Sequence, residues 1–305
     1  MEAFNTPILF VIFNRPETTL KVFEHIKLLK PQRLYIAADG PRRNNEQDVE
    51  NCKRARAITE KIDWDCKVLT LFREENLGCG KAVSGGINWF FEHEEEGIIL
   101  EDDCLPDKTF FSFCKTLLDY YRNDERVMHI GGTNFQRGNK RGNASYYFSA
   151  NVHVWGWATW KRAWKKYDFD VSDVEDFTQK NKIQKYFSDP VIQNYWYTIF
   201  RNMRQHKIDT WDYQWLYSVW NNGGLAIIPQ GNLISNIGFG GDATHTHSDN
   251  EWANVPTVPI TEIIHPQNIE QNLDADLYTF YSHYSPPAPP KPGIIKRMAK
   301  KMGLS

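Results

Sequence analysis

Gly97-Ile98-Ile99-Leu100-Glu101-Asp102-Asp103 is a short apolar run that ends in three consecutive carboxylates. An apolar run without polar alternation is buried on both faces, as strands of a parallel sheet are. The three acids then stand at the carboxyl edge of that sheet, where open α/β folds bind their ligands. Working outward, Ile8 to Phe13, Leu34 to Ala37 and Lys67 to Phe72 are further runs of the same kind. Between them the apolar residues change to helical spacing: Val22, Ile26 and Leu29 after the first run, and Ala82, Val83, Ile87, Phe90 and Phe91 after the third. Asn14-Arg15-Pro16-Glu17 reads as a helix start, with Asn14 capping, Pro16 at an early position and Glu17 in a capping box. Asn44 to Ile62 reads as one polar helix, Phe110 to Tyr121 as another helix, and Val127 to Ile130 as a strand ending at Gly131-Gly132. Strands alternating with helices predict a doubly wound, mostly parallel sheet.

The chain has 305 residues, room for two domains or one large α/β unit. Lys and Arg total 36 against 38 Asp and Glu, which leaves no basic excess for a nucleic-acid backbone. With 41% hydrophobic and 24% charged residues, the composition is that of a folded globular protein rather than a disordered chain or a membrane bundle. Five cysteines without a Cys-x-x-Cys pair form neither a disulfide framework nor a zinc site, and imply a cytoplasmic protein with reduced thiols. Ile8 to Phe13 is too short for a signal peptide or a spanning helix. Beyond about Asn134 the alternation fails, which divides the chain into a first half, 1–133, a more irregular second half, 134–284, and a Pro-rich linker with a basic tail, 285–305. Eight of the 11 Trp lie between Trp155 and Trp220, inside the second half, where Ile183 to His206 reads as a helix.

Three adjacent carboxylates repel one another unless a cation joins them. A hard divalent ion with oxygen ligands, Mn²⁺ or Mg²⁺, bridging them to a diphosphate would remove that repulsion. The competing reading is a solvated turn with Asp107 capping the next helix, and the strand-end placement favours the site. Asp39-Gly40-Pro41 closes the second strand at the same edge, so Asp39 can reach a base or ribose there, although Asp-Gly-Pro is also an ordinary turn. Asn76 to Lys81 precedes a helix and could offer N–H groups to phosphate. It is neither a Walker A loop, since Glu75 precedes it and Ala82 follows the Lys, nor a dinucleotide fingerprint, since position 83 is Val. Trp155 and Trp157 flank Gly156 and suit an aromatic wall for a sugar ring or another flat apolar face, although many Trp are core. Asp212 between Trp211 and Tyr213 is a candidate general base, or else a helix N-cap. Gly238 to His247 reads as a glycine-hinged lid that brings His245 to a metal or phosphate, against the commoner reading of an incidental His pair. In the tail, Lys296, Arg297, Lys300 and Lys301 oppose Ile294, Ile295, Met298 and Met302. That pattern fits an amphipathic helix lying on an anionic membrane, or a solvated end.

Taken in order, Asn14-Arg15, Asp39, Asn76-Leu77-Gly78 and Glu101-Asp102-Asp103 make the first 135 residues resemble the nucleotide-sugar-binding half of GT-A glycosyltransferases. The aspartate-x-aspartate position of that fold falls on the acidic triplet. Leu100 to Phe111 is more closely similar to the inverting N-acetylglucosaminyltransferase I type, and the likeness continues through Gly156-Trp157, Trp164 and Trp211-Asp212 to the Gly238–His245 loop. The chain departs from that type at Tyr213, where the relatives carry the second Asp of a Trp-Asp-Asp-Trp motif. The resemblance implies a GT-A-like sheet with an irregular acceptor-side half, and inverting, metal-dependent transfer of a sugar from a nucleoside diphosphate sugar, a UDP-sugar above all, to a hydroxyl acceptor. It implies metal binding at Asp103 with Glu101 and His245, and nucleotide binding by Asn14, Arg15, Asp39, Asn76, Lys81 and Asp102. Trp155, Trp157 and Trp211 would wall the sugar, and Asp212 would be the base, with Asp209 and Asp242 as alternatives. The acceptor would be a saccharide, free or lipid-linked, met in the cytoplasm or at the inner face of its membrane by a bacterial enzyme of surface polysaccharide synthesis. Two other classes remain open: a sugar-nucleotide nucleotidyltransferase, whose Gly-rich Arg/Lys signature is absent after the first strand, and a glycan-binding protein without catalysis.

Overall fold

The computed structural model describes residues 4–239 and 252–284. Among these, the first half runs β1 (Ile8–Ile12), α1 (Pro16–Leu29), β2 (Arg33–Ala38), α2 (Glu46–Arg56), β3 (Lys67–Phe72), α3 (Cys79–His93), β4 (Glu96–Glu101), β5 (Cys104–Pro106), α4 (Phe110–Tyr121) and β6 (Val127–Gly131). The second half continues with β7 (Tyr146–Ser149), β8 (Trp157–Trp160), α5 (Lys161–Trp164), α6 (Val174–Gln179), α7 (Pro190–Arg204), α8 (Asp212–Asn221), β9 (Leu225–Pro229), β10 (Ile234–Asn236) and α9 (Leu273–Thr279).

Eight strands form one sheet in the order β3-β2-β1-β4-β8-β6-β9-β7, parallel from β3 to β4 and again between β6 and β9. The α/β fold expected from the strand and helix alternation is present, and every residue of β1 is buried, as its unalternated apolar sequence requires. Chain order reverses at β1, which pairs with β2 on one side and β4 on the other. This is a topological switch point, and it opens a crevice at the carboxyl ends of β1 and β4. β8 enters antiparallel between β4 and β6, so the sheet takes strands from both sides of residue 133. A second, two-stranded sheet pairs β5 with β10 antiparallel, which ties the residues after the acidic triplet to Ile234–Asn236.

Three local expectations are corrected. Asn14 does not cap α1: Arg15 occupies the N-cap position, and the Asn14 side chain donates instead to Asp48 Oδ1 at 2.7 Å. The polar helix from 44 to 62 is α2 followed by a separate 3₁₀ turn over Ala57–Lys61. The helix read from Ile183 is broken, because Pro190 lacks an N–H and starts a new helix, α7, capped by Asp189 accepting from the Val191 N–H at 2.8 Å. Among the described residues no helix is long and apolar enough to cross a membrane. Gly240, Gly241, Asp242, His245 and His247 of the lid, and the whole 285–305 tail, lie outside the described residues.

Candidate functional site

A cleft of about 450 Å³ opens at the switch point. It is lined by the end of β1 (Val11, Ile12, Phe13) and of β2 (Ala37, Asp39), by the start of α3, and by Val154, Trp155, Thr210 to Asp212 and Phe239. Of the 13 residues proposed from sequence, nine line this cleft: Arg15, Asp39, Asn76, Glu101, Asp102, Asp103, Trp155, Trp211 and Asp212.

The acidic triplet divides into different roles. Asp102 is 2% exposed, and its Oδ2 accepts from the Phe13 N–H at 3.0 Å while Oδ1 accepts from Arg15 Nη2. Arg15 Nη1 reaches on to Asp103 Oδ2 at 2.9 Å. Asp102 thus acts on the cleft through Arg15 rather than as a freely offered ligand. Burial works against the charge of Arg15, but Asp102 and Asp103 outweigh it and hold the guanidinium above its ordinary value. The Glu101 side chain has no hydrogen bond or ion pair among the described residues, and burial, followed by the charges of Asp103 and Asp102, pushes its carboxyl up to about 8. Gly238 lies directly over the Asp103–Arg15 pair: a Cβ there would stand 2.7 Å from Asp103 Cβ and 2.8 Å from Arg15 Nη1.

On the β2 side, both oxygens of Asp39 accept from the Leu77 N–H at 3.1 Å, and Oδ2 also accepts from Asn76 Nδ2 at 2.8 Å. Burial raises this carboxyl above its usual range. Gly40 is required by close approach, since a Cβ would fall 2.4 Å from the Glu75 carbonyl carbon. Arg42 and Arg73 also line the cleft and were missed from the sequence. Arg73 directly follows β3 at the edge that holds Asp39, so its strand-end position was the available signal. Arg42 sits 5.7 Å over the Phe13 ring and is held by Asp48, to which its Nη2 donates at 2.8 Å.

Three proposed residues do not meet the cleft. Asn14 is drawn away by Asp48. Lys81 is exposed on α3, outside the lining. Trp157 is 0% exposed and stacks on Trp211 at 5.5 Å and on His129 at 4.9 Å, so it belongs to the core and not to a sugar-facing wall. The fourth residue outside the lining, His245, lies beyond the described residues. The wall is instead Trp155 with Phe239 edge-on to it at 5.7 Å, together with a margin of Trp211. Phe239, an aromatic set among glycines 238, 240 and 241, was legible as a signal and was overlooked.

The 76–81 segment does not present a free phosphate cradle. The Cys79 and Gly80 N–H groups at the start of α3 donate to Asp209 Oδ2 and Oδ1 at 3.1 and 2.9 Å. Asp212 is the first residue of α8 rather than its N-cap, which is Trp211. Its Oδ1 accepts from Thr210 Oγ1 at 2.5 Å and from the Tyr213 N–H at 2.9 Å, while Oδ2 has no partner among the described residues.

Six carboxylates (Asp39, Glu101, Asp102, Asp103, Asp209 and Asp212) line the cleft against three guanidinium groups. Asp48 already balances Arg42. The excess, centred on Glu101 and Asp103, suits a hard cation. No cluster of three ligating side chains exists among the described residues, which offer one or two carboxylates there, the usual arrangement where substrate phosphates complete the coordination.

No family model matches this chain, and no curated protein matches it. Among solved structures it is similar to Staphylococcus aureus TarS 1–349, at 11% identity and a TM-score of 0.36 over 53% of this chain and 49% of that one. It is also similar to a UDP-glucose pyrophosphorylase complexed with UDP-glucose, at 12% identity and a TM-score of 0.26 over 47% of this chain and 62% of the other. A CMP:2-keto-3-deoxy-manno-octonic acid synthetase complexed with CTP gives 11% identity and a TM-score of 0.34 over 68% and 93%. The chemistry of the cleft therefore has to be read from its own residues.

Proposed function

We propose that this chain transfers a sugar, with inversion, from a nucleoside diphosphate sugar, a UDP-sugar first of all, to a hydroxyl group of a saccharide acceptor, free or lipid-linked. The observation that carries the reading is that one cleft at the switch point holds both Asp103 with the unpaired Glu101 side chain and Asp212 with an unpartnered oxygen. The Asp39, Asn76 and Arg73 corner would take the base and ribose, with Arg42 over Phe13 closing that end. Arg15, oriented by Asp102, would face the diphosphate. Mn²⁺ or Mg²⁺, held by Asp103 with Glu101 beside it, would supply the positive charge that steadies a departing diphosphate. Asp212 Oδ2 would accept the proton of the attacking hydroxyl while Thr210 fixes the other oxygen, so that the new carbon–oxygen bond forms at the anomeric carbon as the bond to the phosphate oxygen breaks and the nucleoside diphosphate leaves. Trp155 and Phe239 would cover the sugar and keep water from that carbon.

The test is product analysis with a panel of UDP-sugars and saccharide acceptors, with and without Mn²⁺. Glycoside and UDP formed together support the reading. Pyrophosphate released from a nucleoside triphosphate and a sugar 1-phosphate would replace it with nucleotidyl transfer. Saccharide binding with no nucleotide affinity would replace it with a glycan-binding role.

A further inference from the structure

Asp209 is separated from Cys79 and Gly80 by about 130 residues, yet its two carboxylate oxygens take the first two N–H groups of α3. The contact is built from both sides. Gly78 has φ +79°, and a Cβ on it would stand 2.6 Å from Asp209 Oδ2; a Cβ on Gly80 would stand 2.8 Å from both Asp209 Oδ1 and the Thr210 carbonyl oxygen. The two glycines therefore clear a seat for the 209–210 backbone, and the positive end of α3 favours a carboxylate there. The next residue carries the connection onward: the Thr210 hydroxyl donates to Asp212 Oδ1 at 2.5 Å, and its carbonyl accepts from Gln214 Nε2 at 2.7 Å.

We infer that Asp209 is a positioning residue, a latch that fastens the segment bearing Asp212 to the start of α3 and so sets the free oxygen of Asp212 against the donor side of the cleft. This rests on the transferase reading, in which Asp212 takes the acceptor proton. The glycines at 78 and 80 serve the same latch rather than a phosphate cradle. Because the latch holds the segment bearing Asp212 and makes no contact with Asp39 or Asn76 in the nucleotide corner, its loss acts on turnover more than on donor affinity.

The experiment compares wild type, Asp209→Asn, Gly80→Ala and the double variant, all as the full chain with UDP-sugar, acceptor and Mn²⁺, alongside amide hydrogen exchange over residues 79–82. Asn keeps one acceptor but turns an amide donor toward the second N–H, and Ala at 80 expels the carboxylate from the other side. Expected are faster exchange at Cys79 and Gly80 and a fall in kcat of about tenfold or more, roughly 1.4 kcal/mol, with the donor KM within about twofold. The double variant should be no worse than the poorer single one, since both break one contact. Unchanged exchange in Asp209→Asn would mean that no latch exists in solution. An unchanged kcat in an active enzyme, or a loss confined to donor KM, would overturn the positioning role. A wild type that yields no glycoside with any acceptor fails the transferase reading instead, a result distinct from either.

Discussion

Replacing His129 by Gln should flatten the acid side of the stability profile by the titration of one group. His129 is 0% exposed, between β6 and the tryptophan core. Trp215 Nε1 donates to its Nδ1 at 3.2 Å, which leaves Nε2 to donate to the His153 carbonyl at 3.0 Å. Both nitrogens are satisfied only in the neutral ring, since a second proton would set an N–H against the Trp215 N–H. Burial accordingly lowers this group from 6.5 to about 3. A folded-state value below the unfolded one means that the unfolded chain takes up protons first, so stability is fully present above about pH 6.5 and is lost as the pH falls toward 3. Each pH unit in that window costs about 1.4 kcal/mol, so from pH 6.5 to 5.0 His129 alone removes about 2 kcal/mol, a sizeable share of a total of about 5–15 kcal/mol. Glu101 and Asp276, raised to about 8 and about 6, act in the opposite sense, because the folded chain binds their protons first. The wild-type profile is therefore a sum, and the difference between wild type and variant isolates the histidine. Urea denaturation at half-unit steps from pH 7 to 5 gives both curves. Gln lowers stability at pH 7 by about 1–3 kcal/mol through lost stacking on Trp157, but its curve should fall less steeply. Parallel curves over pH 6.5 to 5.0 would refute the argument.

Asp103→Ala should abolish Mn²⁺-dependent UDP binding, read by calorimetry with and without the metal, while thermal unfolding stays cooperative; retained metal-dependent affinity would remove the cation from Asp103. Asp212→Asn keeps the shape but cannot take the proton, so turnover should fall about 10²-fold or more with donor binding nearly unaltered, and surviving turnover would exclude Asp212 as the base. Gly156→Ala should destabilise the fold by about 2 kcal/mol or more, because φ is +61° and the new Cβ would stand 2.4 Å from Ile234 Cδ1; a denaturation midpoint equal to wild type would contradict that packing.

The first half was readable because its information is local. Periodicity located β3 at Lys67–Phe72 and α4 at Phe110–Tyr121 with the bounds later observed. The rule that ligands gather at strand carboxyl ends then places Asp39 and the acidic triplet at one edge. Where two signals competed, the reading slipped. Asn14 and Arg15 both precede Pro16, and which of them faces the cleft depends on Asp48, 34 residues beyond Asn14. The tryptophans show the same limit, since Trp155 and Trp157 flank one glycine, yet only Trp155 reaches the cleft.

Strand order and side-chain partners depend on chain closure over long separations, and local propensity carries no term for it. β8 is four residues long and becomes a central strand only because Gly97–Ile99 and Ile130–Gly131 leave a gap between them that it fills. Arg15 finds its acids 87 and 88 residues away, and Asp209 finds its N–H donors 129 and 130 residues away. The residue types, their alternation and the edge at which the acids gather follow from the order of amino acids along the chain. Which carboxylate is bound to Arg15, which is seated on α3 and which keeps an unpartnered oxygen was decided only when the sheet closed, because each of those contacts joins segments that no local pattern relates.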